Sequence, residues 1–120
     1  MSKYLKTGLE VIEAEIAALQ GMSARLGQEF SDAVEVLLGC RTKVVVTGLG
    51  KSGHIARKIA STFCSTGMPA VFLHASEAGH GDMGIYSPGD PVIIISKSAS
   101  TSELVHVAPV LRQKGSKLIG

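Results

Sequence analysis

Tryptophan is absent from this chain, and its 120 residues hold only two tyrosines and three phenylalanines. So few rings supply no stacking platform for nucleic-acid bases. An excess of either charge is missing too. Twelve Lys and Arg against ten Asp and Glu leave a net charge of +2, which offers neither the basic groove that nucleic acid selects nor the polybasic patch an anionic membrane selects. No apolar run approaches the ~18 residues of a membrane-spanning helix. The N-terminal pattern carries Glu10, Glu13 and Glu15 where a signal peptide needs uninterrupted apolar residues. Cysteine is scarce, with Cys40 and Cys64 in no C-x-x-C pairing, and the pair reads as buried thiols in a reducing compartment. These absences point to a cytoplasmic protein with no nucleic-acid or membrane partner.

What is present is a core. Apolar residues make up 45% of the chain and charged residues 18%, a balance that excludes disorder. A domain of this length buries roughly 65% of its unfolded surface. Leu5, Leu9, Ile12, Ile16 and Leu19 recur at threes and fours, which predicts a helix over residues 3–20 with one apolar stripe. A second helix is predicted over 31–38. From Lys43 the pattern changes. "KVVVTG" reads as a fully apolar strand, the form taken when both faces of a parallel sheet are covered. A helix over 52–65 follows, with Ile55, Ala56, Ile59 and Phe63 facing inward. "AVFLH" at 70–74 is a second strand, and a polar, glycine-rich segment with one helical turn near Ser76 comes after it. "PVIIIS" is a third strand, a helix is predicted over 101–114 with Pro109 kinking it, and "SKLIG" begins a fourth strand that breaks off. Alternation of this kind implies right-handed crossovers and a three-layer αβα, doubly wound parallel sheet. The broken fourth strand predicts a fragment: residues 1–42 as N-terminal helices packing on the domain, and 43–120 as the first part of the α/β domain itself.

In such sheets ligands bind beyond the carboxyl ends of the strands. Three segments fall there: Gly48 to Gly53, His74 to Asp82, and Ser96 to Glu103. "GLGKSG" fails the Walker A pattern, because Lys51 and Ser52 precede the last glycine. It matches G-x-G-x-x-G, but the second strand ends on His74 and lacks the acid that binds a nicotinamide cofactor's ribose, so a dinucleotide-binding oxidoreductase is a minor alternative. A sugar-phosphate turn remains, with Ser52 and the free amides of a helix N-terminus taking the phosphate. "SKSASTSE" supports it: Ser96, Ser98, Ser100, Thr101 and Ser102 crowd the start of a helix. Helix capping by Ser100 with Glu103 explains one or two of these hydroxyls, not five. A His74–His80–Asp82 metal site fits no standard ligand spacing, and none is expected.

At this point "GLGKSGHIARKIASTFCSTGMPAVFLHASEAGHGDMG", "IIISKSASTSE" and "APVLRQKG" resemble the sugar isomerase (SIS) domain, most closely its arabinose-5-phosphate isomerase branch. The resemblance implies a SIS-type, flavodoxin-like fold that continues past Gly120 into further strands and a CBS pair. It implies an aldose–ketose isomerase that interconverts D-ribulose 5-phosphate and D-arabinose 5-phosphate through an enediolate, feeding Kdo and lipopolysaccharide synthesis. No organic cofactor is implied, and the assembly is a homodimer or homotetramer. By resemblance Lys51, Glu103 and His80 are catalytic, and Ser52, Ser96, Ser98 and Thr101 bind the substrate phosphate. A glutamate at a helix start has its pKa lowered by the dipole, so a basic role for Glu103 needs burial to offset that.

The chain departs from the branch at Lys97, Ala99 and Ser100, where the family usually has an amide, a glycine and an acid. Alanine resists a positive φ that glycine accepts. These departures sustain a second reading, a non-catalytic SIS module that binds a sugar phosphate for regulation.

Overall fold

The computed structural model describes residues 1–78, 82–100 and 102–120, without the side chains of residues 82, 83, 102 and 103. Two compact units divide the chain, Met1–Ala33 and Val34–Gly120.

The first unit is dominated by α1 (Lys3–Ser23), which runs one turn further than its apolar spacing predicts. Ser2 caps it, its Oγ accepting from the Leu5 amide at 3.2 Å and satisfying one of the four donors a helix start leaves unpaired. The stripe Leu5, Leu9, Ile12, Ile16 and Leu19 is exposed along its whole length. Helix α2 (Gln28–Leu38) begins three residues ahead of the predicted start, and a Gln28 to Asp32 side-chain hydrogen bond of 2.9 Å secures its first turn.

The second unit carries the sheet. Strand β1 (Val44–Gly48) leads through α3 (Gly50–Ser65) to β2 (Ala70–His74). A single helical turn, α4 (Ala75–Ala78), and a 3₁₀ turn at Asp82–Ile85 precede β3 (Val92–Ile95); α5 (Ser102–Gln113) and β4 (Leu118–Ile119) complete the unit. The 3₁₀ turn had no signal in the sequence. All strand pairs are parallel, in the order β2-β1-β3-β4. The fold is the expected α/β arrangement of a doubly wound parallel sheet with helices on both faces. Among the described residues no helix is long and apolar enough to cross a membrane.

The valines of β1 divide between two cores. Val44 and Val46 face α3 and pack with Ala56, Ala60, Phe63 and Phe72. Val45 faces the other way, with Leu73, Val92, Val107 and Leu111. Both faces of the central strand are thus sealed, which is why its residues lack polar alternation; each buried valine contributes roughly 1.5–3 kcal/mol of transfer free energy. One inward assignment on α3 is corrected. Gly53, Ala56 and Ala60 form the buried face, and Ile55, a turn's third away from that line, is exposed. At Gly53 helix and sheet approach too closely for any side chain, and Ile59 and Phe63 pack at the margin of the same core. Cys64 is also exposed, against the expectation of a buried thiol; its Sγ donates to the Ala70 carbonyl at 3.2 Å. Helix α5 passes unbroken through Pro109.

The amino ends of the strands are held by a buried polar cluster. Asp90, fully buried, accepts from Lys43 Nζ at 2.8 Å, from the Ser87 amide at 2.8 Å and from the Thr42 hydroxyl. Burial pushes its carboxyl up, but the Lys43, Thr42 and Ser87 donors together hold it below the usual carboxylate range. Beside it the Tyr86 hydroxyl accepts from the Gly89 amide and from Ser116, and donates to the Lys114 carbonyl.

Candidate functional site

Chain direction across the sheet reverses between β1 and β3. From β1 the chain leaves through α3 toward β2, and from β3 through α5 toward β4. Crevices at such switch points, outside the carboxyl ends of the strands, are where parallel sheets bind ligands. Both polar turns singled out in the sequence start there, from neighbouring strands in register: Gly48 is opposite Ile95.

The first turn is built by glycine. A Cβ on Gly48 would stand 3.0 Å from the Ile95 carbonyl oxygen and 3.0 Å from the Ser52 backbone, so only hydrogen fits between strand end and helix start. Gly50 takes φ +54°, a left-handed conformation that costs glycine nothing. Leu49 is the N-cap of α3 and makes no side-chain cap. The Gly53 amide bonds back to the Leu49 carbonyl at 3.1 Å, while the amides of Gly50, Lys51 and Ser52 lie in the stretch where a helix has no internal acceptor. Ser52 is half-buried and Lys51 exposed; among the described residues Lys51 forms no ion pair. The result is an open, positively biased helix start flanked by a hydroxyl and an ammonium.

The second turn folds on its own hydroxyls. Ser96 Oγ accepts from the Ala99 amide at 3.0 Å, and Ser98 Oγ accepts from the Ser100 amide at 3.3 Å. Ala99, between them, has φ +54° and is the one non-glycine residue with a positive φ among those described. A cavity of about 360 Å³ lies between the carboxyl ends of β3 and β4 and α5; Ile94, Ser96, Ala99, Leu104 and Arg112 line it. Another, of about 370 Å³, lies at the opposite end of the sheet beside Cys40, Arg41, Thr42 and Lys117, away from both turns.

Next to the first turn, His74 ends β2 opposite Gly48. Its Nδ1 is 2.7 Å from Ser76 Oγ, and its ring meets Phe72 edge-on at 6.1 Å. The Arg57 guanidinium stacks over Phe72 at 4.4 Å. Glu77, the nearest acid, is exposed on α4, so the end of β2 carries no carboxylate for a ribose.

The fold therefore brings Lys51, Ser52, Ser96 and Ser98 to one edge of the sheet. His80 and Thr101 lie outside the described residues, as does the Glu103 side chain. Sequence reasoning missed Thr47. It is fully buried at the carboxyl end of β1, and among the described residues its Oγ1 is the buried side-chain oxygen without a hydrogen-bond partner. The signal was in plain view, a polar residue closing a run of three valines.

Comparison with known proteins agrees with this architecture. The family described as SIS domain matches residues 37–120. The chain is 46% identical over 110 residues to arabinose 5-phosphate isomerase KdsD of Shigella flexneri, covering 92% of this chain and 34% of that protein. It is 42% identical over 116 residues to the Pseudomonas aeruginosa protein of the same name, covering 97% and 36%. A structure from E. coli CFT073, solved in complex with arabinose 5-phosphate, superposes with a TM-score of 0.86 at 40% identity, over 98% of this chain and 64% of that one. The chain thus spans about a third of the length of the curated relatives it matches.

Proposed function

The chain belongs to the SIS domain family, and from that premise we propose that its protein is an aldose–ketose isomerase that interconverts D-ribulose 5-phosphate and D-arabinose 5-phosphate. One observation supports the reading: a glycine turn carrying Lys51 and Ser52 and a serine-rich turn leave adjacent parallel strands side by side at the β1–β3 switch point. Such an edge suits a phosphate dianion, which takes hydrogen bonds from Ser52, Ser96, Ser98 and Thr101 and from the amides at the start of α3. The names of the relatives support the choice of sugar.

Isomerisation moves one proton between C1 and C2 and passes through an enediolate. Glu103 is the base that removes the proton from one carbon and returns it to the other. Lys51 supplies the positive charge that stabilises the enediolate oxygens, and His80 completes the catalytic group. The product feeds Kdo and lipopolysaccharide synthesis, and the protein works in the cytoplasm as a homodimer or homotetramer. The non-catalytic, regulatory reading draws on Ala99, whose positive φ marks a departure inside the proposed phosphate turn.

An isomerase assay on the full-length protein tests the proposal, with Lys51→Ala and Glu103→Gln alongside. Turnover of arabinose 5-phosphate is expected, falling about a hundredfold or more in each variant. Normal turnover in both variants sinks the site assignment. A wild type that binds arabinose 5-phosphate without converting it transfers the case to the regulatory module.

A further inference from the structure

A buried hydroxyl left without a partner gives up its hydrogen bonds to water and destabilises the fold. Valine has the same branched shape and would fill the place of Thr47 without that penalty, as it does at the three preceding positions of β1. Yet Thr47 has no exposed surface, and its Oγ1 is unpartnered among the described residues. Its place in the sheet suggests where a partner comes from. Strand alternation puts Thr47 on the same face as Val45, the face packed by α5. Across the β1–β3 boundary Thr47 is opposite Ile94. Ser96 comes two residues later, one past the end of β3, and it lines the α5-side cavity together with Ile94. Thr47 and Ser96 are therefore diagonal neighbours across the β1–β3 boundary, one sealed and the other half-buried just past the end of β3.

A serine hydroxyl has one proton to donate and two lone pairs that accept. The Ala99 amide already occupies one lone pair of Ser96 Oγ, at 3.0 Å. We propose that Thr47 is a positioning residue of the phosphosugar site that acts through Ser96. In the loaded site the Thr47 hydroxyl donates to the second lone pair of Ser96 Oγ, and Ser96 gives its proton to an oxygen of the substrate phosphate. This fixes the Ser96 rotamer, fills every position on its oxygen, and relieves the buried hydroxyl only when ligand is bound. Each donor in such a chain polarises the next, so Thr47 contributes to affinity without touching substrate. The inference rests on the reading of Ser96 as a phosphate ligand.

The test uses full-length protein as wild type, Thr47→Val, Thr47→Ser, Ser96→Ala and the Thr47→Val/Ser96→Ala double variant. KM, kcat and the rise in Tm caused by arabinose 5-phosphate are measured for each. Thr47→Val is expected to be at least as stable as wild type without ligand, to raise KM about tenfold, and to leave kcat within about twofold. Thr47→Ser restores KM, and the double variant binds no worse than Ser96→Ala alone. Turnover with a wild-type KM in Thr47→Val overturns this inference and leaves the isomerase reading intact. Additive losses in the double variant overturn the route through Ser96. A wild type that binds without turnover removes the isomerase reading, and Thr47→Val must then shrink the ligand-induced rise in Tm or the inference falls as well.

Discussion

Gly53 and Gly48 meet with no room for a side chain between them: a Cβ on Gly53 would stand 2.9 Å from the Gly48 carbonyl oxygen. That contact fixes the start of α3 against the end of β1, and with it the height of Lys51 and Ser52 above the sheet. The third glycine of a dinucleotide fingerprint has the same packing duty, so the motif reports a strand-to-helix geometry that several kinds of phosphate can use.

Gly53→Ala is expected to destabilise the protein by about 1–3 kcal/mol, because the clash is with backbone that cannot turn away. This loss comes despite the ~1 kcal/mol that alanine contributes inside a helix. Gly8, in α1 with nothing within 4 Å of its Cβ position, is the control: Gly8→Ala should gain that ~1 kcal/mol. Urea denaturation of both variants decides the matter, and equal effects would show that the Gly53 contact is slack.

Ala99 holds φ +54°, where the Cβ of an L-residue crowds the following carbonyl at a cost of roughly 1–2 kcal/mol. Glycine removes that cost but adds freedom to the unfolded chain. Ala99→Gly should therefore stabilise the protein by up to about 1 kcal/mol, or a few degrees in Tm. A lower Tm would mean that the turn holds its conformation without strain.

Acid should weaken the protein through Asp90. Its folded pKa lies below the ordinary value because Lys43, Thr42 and Ser87 favour the carboxylate despite burial. The stabilisation is accordingly complete above the ordinary carboxylate pKa and is lost as pH falls through the folded pKa. In Asp90→Asn this acid-dependent component disappears. The amide also turns a donor toward the Lys43 and Ser87 donors on one side or the Thr42 hydroxyl on the other, a loss of about 2–4 kcal/mol at neutral pH. Tm measured against pH for the two proteins checks both the window and the sign.

Pro109 sits in the eighth position of α5, where it cannot donate to the Val105 carbonyl one turn back. Pro109→Ala restores that bond and should raise stability by about 1–3 kcal/mol. A null result would show that the helix already bends enough to satisfy the carbonyl from solvent.

Much of the fold was legible because its periods were clean. "AVFLH" gave β2 to the residue, and the unbroken valines of β1 announced a strand covered on both faces. Helix limits were less legible. Helix α3 starts at Gly50 rather than Ser52, since a helix needs only free amides and a tolerant φ to begin, and glycine supplies both without a capping signature. The inward face of α3 was misjudged at Ile55 for a related reason. Apolar periodicity marks what prefers burial, whereas the distance between helix and sheet sets what fits, and here alanine and glycine fit.

The site divides in the same way. Local sequence determined its parts: a glycine turn with Lys51 and Ser52, a serine cluster from Ser96, and a histidine at the end of β2, each written in consecutive residues. Only tertiary structure decided that the first two are neighbours, because strand order depends on crossover paths and on pairing across the whole sheet. Tertiary structure also singled out Thr47. Whether a hydroxyl is orphaned depends on what surrounds it on every side, and no stretch of chain carries that information by itself.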